Sequence, residues 1–202
     1  EVIESPSAIT VKRGDFWLTE EFTVDSDLST AAFLAIGAAL GDEVTELRLS
    51  LHPELVQPDM AIWSILTDMG ARIENTEAVY RVHPSRLRGI SLDLSDNPDL
   101  MPVLSIAALF CSSPSRFSGI GRLVHKESNR VQGIARALDA LGACYDLDDD
   151  AISIAPLDSE PPPCTLDTQH DHRLVMAFSL LARRFPQVQP SERASLSKSV
   201  PI

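Results

Sequence analysis

Four places in the sequence combine charged side chains in patterns that could bind an anion and move a proton. The densest is residues 126–130, Lys-Glu-Ser-Asn-Arg, directly before an apolar helical pattern. Arginine and lysine at a helix N-terminus suit a phosphate or carboxylate, because the helix dipole and the free N–H groups already favour an anion. Arginine can hold such a group with two parallel hydrogen bonds. The same pattern is also typical of a solvated helix start.

The second place is Asp171-His172-Arg173, where Asp171 is expected to cap a helix. Arg173 then falls in the first turn, where the dipole disfavours a cation. A bound anion would offset that conflict, so the triplet leaves an anion site and a purely structural histidine open as equal alternatives.

The third and fourth places are single residues. Lys198 lies 72 positions after Lys126 and would occupy the matching corner of its own repeat. Asp99 follows a proline at the start of a nearly all-apolar helix. A carboxylate there could act as a base, or it could simply cap the helix.

A 72-residue repeat relates the positions of these residues along the chain. Asp27, Asp99 and Asp171 are spaced by 72, and each lies between a short alternating segment and an apolar run. A second helix ending in Gly-Ala and a hairpin follow in the first two copies. We therefore predict an α/β (α+β) fold of three βαβαββ units at about 21–86, 89–157 and 163–202, the third shortened and without a second helix. Residues 1–20 are predicted to form a separate hairpin with its turn at 12–15.

Composition limits the classes of function. The net charge of −12 argues against nucleic acid and anionic membranes, which need a broad basic surface. The longest apolar run, residues 100–111, is too short to span a bilayer. The three cysteines form no CxxC pair and no metal-ligand spacing, so we expect a reducing cytoplasm and no metal. The chain starts at Glu1, which suggests a processed or excised piece.

Five collinear stretches together resemble the C-terminal half of the 5-enolpyruvylshikimate-3-phosphate (EPSP) synthases. They are residues 25–32, 97–102, 126–130, 171–177 and 198–201. The resemblance implies two domains of three units each, with helices inside and sheets outside, an inside-out barrel. It implies transfer of the enolpyruvyl group of phosphoenolpyruvate to the 5-hydroxyl of shikimate 3-phosphate in aromatic amino-acid biosynthesis, without a cofactor. The N-terminal domain would be the missing partner, and this chain alone would be inactive.

The resemblance also implies roles for single residues. Asp99 would contact shikimate 3-phosphate and accept the proton of its hydroxyl, and Glu127 would donate a proton to the methylene of phosphoenolpyruvate. Lys126 would contact the shikimate ligand. The side chains implied to hold phosphoenolpyruvate, with one histidine nearby, are Arg130, Arg173, Lys198 and His172.

Three positions depart from the family pattern. Asn129 replaces an aspartate, Val124 replaces a frequent arginine, and Arg122 stands where a polar ligand contact is common. Two alternatives remain open: the related transferase that acts on UDP-N-acetylglucosamine, and a non-catalytic anion-binding module of the same fold. The pairing of residues 126–128 with 171–173 favours the shikimate enzyme.

Overall fold

The helices of the computed structural model, which describes residues 2–14, 23–52 and 57–199, lie where the repeat predicts them. In chain order they are α1 (Leu28–Ala39), α2 (Ile62–Asp68), α3 (Met101–Ala108), α4 (Arg130–Leu141) and α5 (His172–Arg184). Helices α1, α3 and α5 follow the aspartate of each unit. Helices α2 and α4 are the second helices of units 1 and 2, and each is followed by a hairpin.

Four small sheets accompany these helices. The strands are β1 (Val2–Ser5), β2 (Ala8–Val11), β3 (Thr45–Arg48), β4 (Ile73–Thr76), β5 (Val79–Val82), β6 (Ser91–Asp93), β7 (Ser115–Ser118), β8 (Tyr145–Leu147), β9 (Ala151–Ile154), β10 (Cys164–Leu166) and β11 (Val188–Pro190). They pair in the orders β1-β2, β3-β5-β4, β6-β7-β9-β8 and β10-β11. The pairs β6-β7 and β10-β11 are parallel, with α3 and α5 as their crossovers.

The helices form the interior. All eight residues of α3 are buried, and α1 is also apolar on nearly every side. A helix that is apolar all round must be enclosed by protein. Helices α1, α3 and α5 contact one another, and strands such as β3 and β5 leave alternate side chains exposed. This arrangement confirms the predicted fold class and gathers the starts of α3, α4 and α5 at one end.

Two local predictions are wrong. The turn of the first hairpin lies at Pro6-Ser7, between Ser5 and Ala8, rather than at residues 12–15. Proline presets the φ angle of the second turn position, so it outcompetes the later glycine. The alternating segment before Asp27, predicted to be the first strand of unit 1, is not a strand at Thr23 and Val24. Residues 15–22, which include Phe22 and the predicted second strand of the first hairpin, lie outside the described residues.

The third unit is shorter than its predecessors, as the sequence indicates. After α5 it contains β11 and a 3-10 helix, Ala194–Lys198, and no further α-helix among the residues described.

Gly89 is the glycine whose replacement should disturb the fold most. A Cβ atom there would lie 2.0 Å from the backbone oxygen of Pro114 and 2.4 Å from that of Ser113. Because these are backbone atoms leading into β7, we expect Gly89→Ala to lower the free energy of unfolding by about 3 kcal/mol. Urea denaturation measures the change. Gly14→Ala, where a Cβ meets open space, is the matched control, and equal effects of the two would contradict the prediction.

Candidate active site

Asp99 is the meeting point of three cations. Its carboxylate lies 3.2 Å from Lys126 Nζ, 2.7 Å from Arg130 Nη1 and 3.3 Å from Arg173 Nη2. The helix-cap interpretation of Asp99 is wrong. Pro98 starts a 3-10 turn, α3 therefore begins only at Met101, and no side-chain cap bond is formed there.

Arg130 lies at the centre of the site and is completely buried. Its guanidinium donates hydrogen bonds to Asp99, to Glu127 and to Asp171, with the shortest N–O distances at 2.7, 2.6 and 2.8 Å. A buried charge needs such partners, since the interior solvates it poorly. The sequence predicted a ligand-binding arginine at a helix start but gave no sign of this burial.

Asp171 caps α5 as predicted, because its carboxylate accepts a hydrogen bond from the Arg173 backbone N–H at 2.9 Å. It also accepts hydrogen bonds from Arg130 and from the Ser128 hydroxyl, the latter at 3.0 Å. The carboxylate is fully buried. The sequence analysis did not predict the contacts of Asp171 with the start of α4. The repeat register was the one sequence pattern that related these two positions.

The opposite charges of the cluster keep one another ionised. Burial raises the pKa of Asp99, but Arg173, Lys126 and Arg130 outweigh it, so this pKa lies below its ordinary value. Burial likewise opposes ionisation of Asp171, and the hydrogen bond and charge of Arg130 lower its pKa overall. The carboxylates in turn raise the pKa of Arg130 against the effect of burial. Both aspartates are therefore ionised at neutral pH.

Acid is expected to destabilise the chain through these two aspartates. Their pKa values are lowered from 3.8 in the folded state, so the unfolded chain binds protons more readily. The stability that they contribute is complete above about pH 5 and is lost as the pH falls through the folded pKa values. Urea denaturation between about pH 6 and pH 3 measures the slope. Asp171→Asn should show a shallower slope, and an unchanged slope would contradict the assignment.

His172 and Arg173 occupy the first turn of α5, and each has a buried nitrogen without a hydrogen bond to any described residue. His172 Nδ1 and Arg173 Nη1 are buried, and neither makes a hydrogen bond within the described part of the chain. Burial is the main cause that lowers the pKa of His172, and the charge of Arg173 lowers it further. The ring is therefore neutral at pH 7. These nitrogens could contact a ligand beside Asp99.

Lys198 is the predicted site residue for which the described ranges show no ion-pair partner in the cluster. It is exposed at the end of the 3-10 helix Ala194–Lys198 and forms no ion pair with any residue of the described ranges. Its role as a ligand contact stays a prediction.

Comparison with known proteins places this arrangement in a family. A family model described as EPSP synthase (3-phosphoshikimate 1-carboxyvinyltransferase) matches residues 1–201. The chain belongs to the EPSP synthase family. Among curated members, the 3-phosphoshikimate 1-carboxyvinyltransferase of Methanosphaerula palustris is 36% identical over 90% of the chain and 42% of the relative. That of Syntrophobacter fumaroxidans is 34% identical over 89% of the chain and 43% of the relative.

Solved structures agree with this membership. The EPSP synthase of Acinetobacter baumannii superposes with a TM-score of 0.80 at 25% identity, over the whole chain and 49% of that protein. The enolpyruvyl transferase NikO of Streptomyces tendae shares the fold, with a TM-score of 0.59 at 17% identity over 85% of the chain and 40% of NikO. The chain thus spans less than half the length of these EPSP synthases.

The departures from the EPSP synthase pattern have different structural consequences. Asn129 caps α4 by accepting a hydrogen bond from the Gln132 backbone N–H at 3.0 Å, so the amide keeps the capping role of an aspartate. Arg122 is exposed, pairs with no described residue, and lines a cavity of about 320 Å³ that Asp99 also lines. Val124 is 38% exposed, and nothing in the structure explains its presence.

The described ranges contain neither a metal-ligand cluster nor a membrane-spanning helix. No group of three or more histidine, cysteine, aspartate or glutamate side chains there could hold a metal ion. In the same ranges, no helix has the length and apolar character needed to cross a bilayer.

Proposed function

We propose that this chain forms the C-terminal half of an enzyme that transfers the enolpyruvyl group of phosphoenolpyruvate to the 5-hydroxyl of shikimate 3-phosphate. The observation that carries the proposal is the convergence of Lys126, Arg130 and Arg173 on Asp99, with Glu127 on the same guanidinium. Three cations within one small site can hold polyanionic substrates even in a chain of net charge −12. Membership of the EPSP synthase family supports the same reaction.

The reaction needs a base for the hydroxyl of shikimate 3-phosphate and an acid for the methylene carbon of phosphoenolpyruvate. As the hydroxyl oxygen attacks C2 of phosphoenolpyruvate, Asp99 would take the hydroxyl proton, and Glu127 would deliver a proton to the methylene carbon. Loss of a proton from the resulting methyl group and departure of phosphate from C2 then restore the double bond. Asp99 is suited to accept a proton because its neighbours keep it ionised.

The remaining residues would hold the substrates. Asp99 and Lys126, which are about one-third exposed, are the proposed contacts to shikimate 3-phosphate. The proposed contacts to phosphoenolpyruvate, with neutral His172 nearby, are Arg130, Arg173 and Lys198. Preset cations are effective here because little reorganisation is needed when the anion binds.

The second half of the cleft would come from an N-terminal domain of the same enzyme, since the relatives are about twice as long. We therefore expect the 202-residue chain by itself to release no phosphate from the two substrates.

We also propose a cytoplasmic location, which rests on all three cysteines being free thiols.

A substrate comparison tests the function. The full-length protein should release phosphate from phosphoenolpyruvate when shikimate 3-phosphate is the acceptor, and not when UDP-N-acetylglucosamine is. Turnover with the UDP-sugar alone would favour the related transferase. A non-catalytic binding module would bind phosphoenolpyruvate and shikimate 3-phosphate, and alanine at Asp99 and Glu127 in the full-length protein would cause no measurable loss of turnover.

A further inference from the structure

Asp171 is a buried carboxylate that none of the proposed substrate contacts includes. Its side chain is 0% exposed, whereas those of Asp99 and Glu127 are 28% and 46% exposed. A substrate can reach the two exposed carboxylates, but it cannot reach Asp171 without opening the start of α5. The function of Asp171 must therefore pass through the groups that it holds.

The geometry shows how Asp171 holds Arg130. Its two oxygens accept hydrogen bonds from Nε at 2.8 Å and from Nη2 at 3.3 Å, which form one edge of the guanidinium plane. The adjacent outer edge, which shares Nη2 with the first, faces the candidate acid–base pair, with Nη1 on Asp99 and Nη2 on Glu127. An arginine gripped along one edge has its plane fixed, and its other edge stays directed at one place.

The same carboxylate also fixes a second cation. Oδ1 accepts a hydrogen bond from the backbone N–H of Arg173, and Oδ2 accepts one from the Ser128 hydroxyl. Asp171 thereby ties the start of α4, which carries Arg130, to the first turn of α5, which carries Arg173. The two cations approach Asp99 from different helices, and this joint sets the distance between them.

We propose that Asp171 is a positioning residue for anion binding, which fixes the guanidinium of Arg130 and the helix turn of Arg173 before substrate arrives. The proposal rests on the proposed function in taking the anion to be phosphoenolpyruvate. On binding, the substrate oxygens replace Asp99 and Glu127 on the outer edge of Arg130, while Asp171 keeps the inner edge. Such preorganisation increases affinity because less side-chain freedom is lost on binding.

Hydrogen exchange of the Arg130 Nε–H tests the geometry without any ligand. In the ¹⁵N-labelled chain, this proton should exchange at least about tenfold more slowly than that of exposed Arg122, since a buried and hydrogen-bonded N–H is protected from solvent. Asp171→Asn should remove most of the protection while the amide spectrum keeps its folded dispersion. Asp99→Asn is the matched control and should leave Nε–H protected, because Asp99 contacts Nη1 only.

Phosphoenolpyruvate titrated into the full-length protein and its Asp171→Asn variant tests the link to binding. We expect about tenfold weaker binding by Asp171→Asn, with the folded amide spectrum retained. Equal Nε–H exchange in Arg130 and Arg122, or equal loss of protection in both variants, would overturn the positioning role. If Asp171→Asn fails to fold, the comparison of Arg130 with Arg122 in the unmodified chain decides. Absence of phosphoenolpyruvate binding by the full-length protein would instead contradict the proposed function, and the exchange comparison would still decide the role of Asp171.

Discussion

Replacing Arg130 with alanine is expected to lower the free energy of unfolding of the chain by about 3–5 kcal/mol. The Arg130 side chain is 0% exposed, and so is that of its partner Asp171. Without the guanidinium, this carboxylate would keep its charge in the interior with no cation to balance it. Breaking a buried ion pair from one side is costly, because the remaining charge still bears the loss of hydration.

Urea denaturation followed by circular dichroism measures this loss. Arg122→Ala is the matched control, since Arg122 is exposed and pairs with no described residue. Its effect should lie within about 0.5 kcal/mol. A similar small effect for Arg130→Ala would show that the buried pair contributes little, and that Asp171 is solvated in some other way.

Replacing Asp99 with asparagine in the full-length protein is expected to reduce kcat by about 100- to 10,000-fold, the usual contribution of a general base. The amide has nearly the shape of the carboxylate and can still accept a hydrogen bond from Lys126 or Arg173. It cannot take up the hydroxyl proton of shikimate 3-phosphate. Steady-state phosphate release measures the change, and the larger share of the loss should fall on kcat rather than on KM.

Asp27→Asn is the control that the repeat provides. Asp27 occupies the equivalent position in unit 1, where its carboxylate caps α1 by accepting from the N–H groups of Ser29 and Thr30. Asparagine caps a helix about as well as aspartate, so kcat should stay within about twofold. If both variants lose the same activity, Asp99 has no chemical role that its repeat-equivalent lacks.

The repeat made much of the fold predictable. The 72-residue register, with its apolar runs and Gly-Ala endings, located all five α-helices, α1 to α5, of the described residues. It also predicted the missing second helix of the third unit, within the described residues. Its failures are local. At Asp99 the preceding proline produced a 3-10 turn, so three equivalent aspartates did not become three equivalent caps.

The sequence predicted which charged residues form the candidate site, but not which of them pair with one another. The stretch 126–130 and the triplet 171–173 identified most of the charged residues that meet at Asp99. No local pattern could show that Arg130 would be buried, because its partners are distant in sequence: Asp99 lies in the 3-10 turn before α3 and Asp171 at the cap of α5. Lys198 shows the converse limit: its register matched that of Lys126, yet it is exposed and forms no ion pair with a described residue of the cluster.

The long separations within the ion cluster have a kinetic consequence. Arg130 is 31 residues from Asp99 and 41 from Asp171, so the cluster closes only when units 2 and 3 meet. Helices and hairpins within a unit can form earlier, because local contacts require less loop closure. We therefore expect substitutions at Arg130 to speed unfolding while leaving the folding rate nearly unchanged. The anion-binding pattern of charges would then appear only at the last step, when the two units dock.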